Sequence, residues 1–264
     1  MAKEPLYDLL ILRIFNNHFR KNLDSFEFDR EEIERVASEL KLRLPKNLGD
    51  LIYSFRYRKE LPKGITDTAT GKKVWLLIPA GRSKYRFQLA YANRIIPRTN
   101  LVAIKIPDAT PEIIAKYALS DEQALLAKVR YNRLIDIFLG ITTYSLQNHL
   151  RTTVTDMGQI EIDEIYVGVN KNGQQFVIPV QARSGKDQLA VIQTQQDLAC
   201  CAQKFPTLTC RAISTQFMKD EKNTIAIFEL TMENEEVKVV EERHYQLVHA
   251  DAITDADLNR YSKR

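Results

Sequence analysis

The residues whose types could do chemistry together fall in two short segments. Residues 161–164, EIDE, carry Glu161, Asp163 and Glu164, and residues 181–183, QAR, carry Gln181 and Arg183. Carboxylate and amide oxygens are the donors that hard divalent cations prefer, and a guanidinium pairs with phosphate, so the set suits chemistry at a phosphate group. In an extended strand, alternation puts residues 181 and 183 on one face and Val180 and Ala182 on the other. Other candidates carry less. His244 and His249 lie five apart in RHYQLVH, a separation that shares neither a helix face nor a strand face, and no HExxH glutamate accompanies them, so both read as structural. Cys200, Cys201 and Cys210 lack paired CxxC spacing and read as buried, reduced thiols. His18 and His149 stand alone, no serine has a GxSxG context, and neither a P-loop nor a GxGxxG suggests a nucleotide cofactor.

The elements that must position these residues follow an order. A helix is expected over 121–138 and a short helical piece near YSLQNHL, with a strand possible at 141–143 or 152–155. Two strands, QIEIDEIYVGV and QQFVIPVQAR, are joined by the turn NKNG. A helix, DQLAVIQTQQDLACCAQKF, and the strands TLTCRAISTQF and NTIAIFELTM come next. The tail TDADLNRYSKR has the look of a capped helix.

This order, with Asp163 on one strand and Gln181, Ala182 and Arg183 on the next, resembles the αβββαβ core of the PD-(D/E)XK nuclease superfamily, and within it the type II restriction-endonuclease-like proteins, over roughly residues 120–231. The resemblance implies a Mg²⁺ site with Asp163 and Gln181 as ligands, joined by Glu164 or Glu161, in which the metal polarises the scissile phosphate and activates water. It also implies catalytic roles for Asp163, Gln181 and Arg183. Two positions depart from the family pattern. Gln181 stands where Glu is usual and brings no charge, and Arg183 stands where Lys is usual. Arg183 can bind a phosphate through two hydrogen bonds but does not deprotonate, so its part would be electrostatic. Lys186, in the SGKD turn, is a substitute cation.

Charge sets the first part of the chain apart. Residues 41–106 hold 15 Lys and Arg against Asp50, Glu60 and Asp67, although the whole chain carries only +4. Such a block is the footprint of a phosphate-binding surface, because neutralised phosphates release condensed counterions. Helices are expected over 5–20, with Leu9, Leu10, Ile14 and Phe15 inward, and after Asp29, a plausible N-cap, with Ile33, Val36 and Leu40 inward. A third, KNLGDLIYSFRYRKEL, is broken at Pro62 and offers Lys46, Arg56, Arg58 and Lys59. KKVWLLIP and YRFQLAYA form a hairpin through AGRSK, with Arg82 and Lys84 at its tip and Arg86 beside them. Three helices and a basic hairpin resemble a winged helix-turn-helix, whose third helix enters the major groove while the hairpin tip meets the backbone or minor groove.

Composition agrees with two folded α+β domains, 1–107 and 108–264: hydrophobic residues make up 44% of the chain and charged residues 27%. No apolar run is long enough to span a membrane and the start lacks a secretory layout, so a cytoplasmic protein is expected. The function expected is a Mg²⁺-dependent endonuclease acting on double-stranded DNA, one site per subunit of a homodimer. The alternative is a non-catalytic DNA-binding protein, a regulator or defence component with a decayed nuclease core, which Gln181 and Arg183 favour. RNA binding through the same basic surface is a third possibility.

Overall fold

In a computed structural model the chain is described over residues 3–44, 48–57, 59–71, 73–81, 83–91, 95–117, 122–155, 157–183, 191–218, 224–233 and 236–262. It divides into two compact units, residues 1–93 with 153–160 and residues 94–152 with 161–264, and is mixed α+β.

The first unit runs α1 (Lys3–His18), β1 (Ser25–Asp29), α2 (Arg30–Glu39), α3 (Gly49–Tyr57), α4 (Lys63–Thr66), β2 (Lys73–Pro79) and β3 (Lys84–Tyr91). Its antiparallel sheet has the order β1-β3-β2. Phe15 is the hub of the core. Its ring stacks on Phe19 at 5.0 Å and meets Trp75 and Phe87 edge-on, each at 5.1 Å, geometries that aromatic quadrupoles favour. Leu10, Ile11 and Ile14 are buried beside it, whereas Leu9, expected inward, is 52% exposed. Leu40 also points outward, because α2 ends one residue before it and the chain leaves the helical stripe. Asp29 holds the N-cap position without a side-chain cap hydrogen bond. The β2–β3 turn passes through Gly81 at φ 112°, a conformation in which a Cβ would be strained.

The second unit runs β4 (Ile104–Pro107), α5 (Glu112–Tyr117), α6 (Glu122–Tyr131), α7 (Leu134–Leu139), β5 (Thr142–Val154), β6 (Gly158–Val169), β7 (Gln175–Arg183), α8 (Val191–Lys204), β8 (Thr209–Cys210), β9 (Ala212–Phe217), β10 (Ile225–Glu233), β11 (Glu236–Val248) and α9 (Asp255–Tyr261). Sheet order is β4-β11-β10-β9-β7-β6-β5, and β8 pairs with β7. Parallel neighbours need a crossover, and α8 provides it between β7 and β9. Residues 104–107 pair in parallel with β11, so this stretch, grouped on sequence with the first domain, belongs by contact to the second unit.

The segment YSLQNHL is strand, not helix. Leu146 and Leu150 have helical spacing, but the segment lies within β5, which pairs with β6, and pairing outweighs a local pattern of two leucines. The helix expected over 121–138 is two helices, α6 and α7, separated at Arg133, whose φ is 50°. Close packing fixes Gly168: a Cβ there would lie 3.1 Å from both Ile141 Cδ1 and the Thr142 carbonyl oxygen.

Helices α6 and α7 cover one face of the sheet, through Leu125, Val129, Leu134 and Phe138 against Ile178, Val180, Ala182 and Ile213. Helix α8 covers the other, with Cys201 against Ile165 and Val177. Strand β7 is therefore buried on both sides from Phe176 to Ala182. Pro179, which has no N–H for a ladder, sits where the adjoining chain passes from β8 to β9. His244 is buried and donates to Glu242, which also accepts from the backbone and guanidinium of Arg98. Thr254 and Asp257 form a capping box on α9, and Asp257 accepts from Lys105. No described helix is long and apolar enough to cross a membrane.

Trp75 is the sole tryptophan, so its fluorescence follows the first unit alone. Phe15→Ala is expected to destabilise that unit by about 3–5 kcal/mol in denaturant titrations read by Trp75, as loss of a buried phenyl ring does. An unchanged midpoint would remove Phe15 from its central place in the core.

Candidate active site

Strands β6 and β7 pair antiparallel from Val169↔Gln175 to Glu164↔Val180. One step further, the Asp163 carboxylate accepts the Ala182 N–H at 2.8 Å and a guanidinium N–H of Arg183 at 3.2 Å. Arg183 is also 3.2 Å from Glu122 on α6 and donates to the Ala182 carbonyl. Gln181 is 1% exposed. Its Nε2 donates to Asp197 on α8 at 3.0 Å and to the Glu161 carbonyl at 3.3 Å, while Oε1 has no partner among the described residues. As alternation requires, Ala182 and Val180 face α6 and α7 instead.

The structure thus brings together Asp163, Gln181 and Arg183, and adds two residues not anticipated, Asp197 and Glu122. Glu164 is separated from them. It is fully buried on the opposite face of β6, where Arg130 and Ser145 donate to its Oε1 at 2.8 and 2.6 Å. The reason is the strand period of two, which sends neighbours 163 and 164 to opposite faces. A recess of about 290 Å³ lined by Arg130, Arg133, Asp136, Tyr144 and Tyr166 does not include Asp163. Glu161, on the Asp163 side, meets Arg151 and His149 at the surface. Lys186 lies outside the described residues.

Electrostatics at the site are dominated by burial. Desolvation raises the Asp163 carboxyl above its ordinary range, although the Arg183 charge and the Ala182 N–H oppose it. Burial pushes Asp197 well above the usual aspartate range against the hydrogen bond from Gln181, and the Asp163 charge adds to the rise. Among the described residues no group of three or more His, Cys, Asp or Glu side chains is arranged to hold a metal ion. Mg²⁺ does not demand one: it is held by one or two carboxylates, with water and phosphate oxygens filling the rest. Asp163 and the unpartnered Gln181 Oε1 supply hard oxygens of that kind, so the donor set fits.

Asp197 had a legible signal. Thr194, Asp197 and Cys201, at intervals of three and four, form a buried stripe on α8, and an acid on such a stripe marks a partner beneath it. Glu122 opens α6 and carries no comparable sign.

The basic block is partly neutralised. Lys59 pairs with Asp8 at 2.6 Å and lies over the Phe55 ring, Lys73 pairs with Asp24, and Arg86 with Glu27 at 2.6 Å. Arg98 and Lys105 pair with Glu242 and Asp257. Lys41, Arg43, Lys63 and Lys84 are exposed. Lys46, Arg58 and Arg82 lie outside the described residues, as does the side chain of Arg56.

Comparison with protein-family models, with curated proteins and with solved structures returns no match for this chain.

Both raised carboxyls bind a proton more tightly folded than unfolded. Their contribution to stability is complete below the unfolded aspartate pKa of about 3.9 and is lost as the pH rises through the folded values. In metal-free protein, Asp197→Asn, which stays neutral, should therefore lose less stability than the parent as the pH is raised from about 4 to 7. Identical slopes in urea titrations read by circular dichroism would contradict the burial of a titrating Asp197.

Proposed function

We propose that the chain binds duplex DNA through its first unit and hydrolyses phosphodiester bonds with the site on β6 and β7. The observation that carries this reading is the convergence of Asp163, Gln181 and Arg183 on one face of two paired strands, with α8 leading into the parallel strand β9. The succession α6/α7, β5, β6, β7, α8, β9, β10 supports a restriction-endonuclease-like core. In the first unit, the order α1, β1, α2, α3, β2, β3 and the sheet β1-β3-β2 support a winged-helix reading, with the β2–β3 hairpin as the wing.

On this reading Arg183 exchanges its contact with Asp163 for a phosphate oxygen, and its permanent charge stabilises the charge that grows on phosphorus oxygens during attack. Glu122 accepts from the same guanidinium nitrogen as Asp163 and limits the orientations of the Arg183 side chain. The Ala182 N–H fixes the Asp163 carboxylate in place. Asp163 and Gln181 would hold Mg²⁺, which when bound polarises the phosphate and lowers the pKa of a water. Cutting both strands is simplest for a homodimer with one site in each subunit.

A second reading, DNA binding without cleavage, is favoured by one observation: the Arg183 guanidinium is already engaged by Asp163 and Glu122. Supercoiled plasmid separates the two. The hydrolytic reading predicts nicked or linear product with Mg²⁺, none with EDTA, and loss of product in Asp163→Ala with DNA affinity retained. Binding without product in any metal would leave the second reading. For the first unit, Arg82→Glu with Lys84→Glu should weaken DNA binding and lower the slope of log affinity against log salt by about 2. An unchanged slope would take the hairpin tip off the DNA surface.

A further inference from the structure

We propose that Asp197, delivered from α8, is the second carboxylate of a divalent-cation site completed by Asp163 and Gln181 Oε1, an inference that rests on the hydrolytic reading of this site.

The orphaned amide oxygen is the first argument. Gln181 is 1% exposed, and its two N–H donors point at Asp197 and at the Glu161 carbonyl. That arrangement orients the amide and leaves Oε1 buried with no donor among the described residues. A buried acceptor left unmade costs about 1–3 kcal/mol, and a cation is one of the few groups that removes the cost without displacing either hydrogen bond. Asp163 reaches the same place from the neighbouring strand, because the β6–β7 register that pairs Glu164 with Val180 brings residue 163 beside residue 181.

Charge is the second argument. Asp197 accepts from the Gln181 side chain at 3.0 Å, and Asp163, beside residue 181 on the neighbouring strand, is 3.2 Å from the Arg183 guanidinium. Asp163 and Glu122 share that one guanidinium, and Asp197 has no ion pair among the described residues, so a cation placed between Asp163 and Asp197 would meet carboxylates that the protein does not fully neutralise. Gln181 brings no charge of its own. Asp197, 2% exposed and touching the Gln181 side chain, supplies the negative charge that a glutamate at 181 would have brought. Two carboxylates, one neutral oxygen and remaining positions open to water and phosphate make a Mg²⁺-type donor set.

Mn²⁺ is the probe, added to the full chain and followed by electron paramagnetic resonance and calorimetry. The parent should bind one ion per chain. Asp197→Asn keeps the shape of the side chain and its contact with Gln181, yet should weaken binding by about 100-fold, the upper end of what loss of even an outer-shell partner costs. Asp163→Asn should do the same. Gln181→Glu added to Asp197→Asn returns a carboxylate to the site and should recover most of the affinity. If Asp197→Asn binds Mn²⁺ as the parent does while Asp163→Asn does not, the proposal fails and the hydrolytic reading stands. If the parent binds no Mn²⁺, both fail. Should Asp197→Asn not fold, Mn²⁺ broadening of carboxyl carbon signals in the parent decides the matter: selective loss of the Asp163 and Asp197 signals supports the site, and an undisturbed Asp197 signal overturns it.

Discussion

Strand β7 is buried on both faces, by α6 and α7 on one side and by α8 on the other, and this constraint organises the second unit. Apolar residues satisfy it along most of the strand. At its end, Gln181 and Arg183 do not, and polar groups placed in such a layer must find partners inside the protein. Three of the elements around this end supply them: β6 gives Asp163, α8 gives Asp197 and α6 gives Glu122. The cluster is thus a consequence of where the strand lies, and its chemistry follows from which groups were drawn in. Gln181 Oε1 is left without a donor among the described residues, beside the carboxylates of Asp163 and Asp197.

The same demand for partners reshapes the basic block. Fifteen cations against three acids is a property of residues 41–106 as a string. Folding brings Asp8, Asp24 and Glu27 to Lys59, Lys73 and Arg86, all acids from outside the block. These pairs are partly exposed and worth little each, of order 0–1 kcal/mol, so a phosphate can compete for the same cations. Lys84, at the hairpin tip, is exposed from the outset. The basic surface left without an acidic partner from the fold is therefore narrower than the charge count along the chain suggests.

Elements with a strong period were legible in the sequence: α1, α2, the β2–β3 hairpin, β6, β7 and α8 all lie where spacing placed them. β1, only five residues long, and β11, read for its histidines and not for its alternation, were not. β5 shows no alternation of buried and exposed positions over YSLQNHL, so its pairing with β6, and not its own pattern, makes it a strand. Within the site, alternation correctly joined Gln181 to Arg183, yet the same rule applied to EIDE already separates Glu164 from Asp163. Asp197 lies on α8, the element after β7, in a buried stripe that spacing does mark. Glu122 comes from an element 61 residues away, and its meeting with Arg183 is set by layer packing, which no local spacing encodes. Arg130, the partner of buried Glu164, is hidden for the same reason.

The most direct measurement is a crystal structure of the chain with duplex DNA and Ca²⁺, a hard cation that occupies oxygen sites. The account predicts a cation on Asp163, Asp197 and Gln181 Oε1, with a backbone phosphate beside it and Arg183 turned from Asp163 to that phosphate. DNA held only by the first unit, with Arg183 still paired to Asp163 and Glu122 and no cation at Gln181, would contradict it.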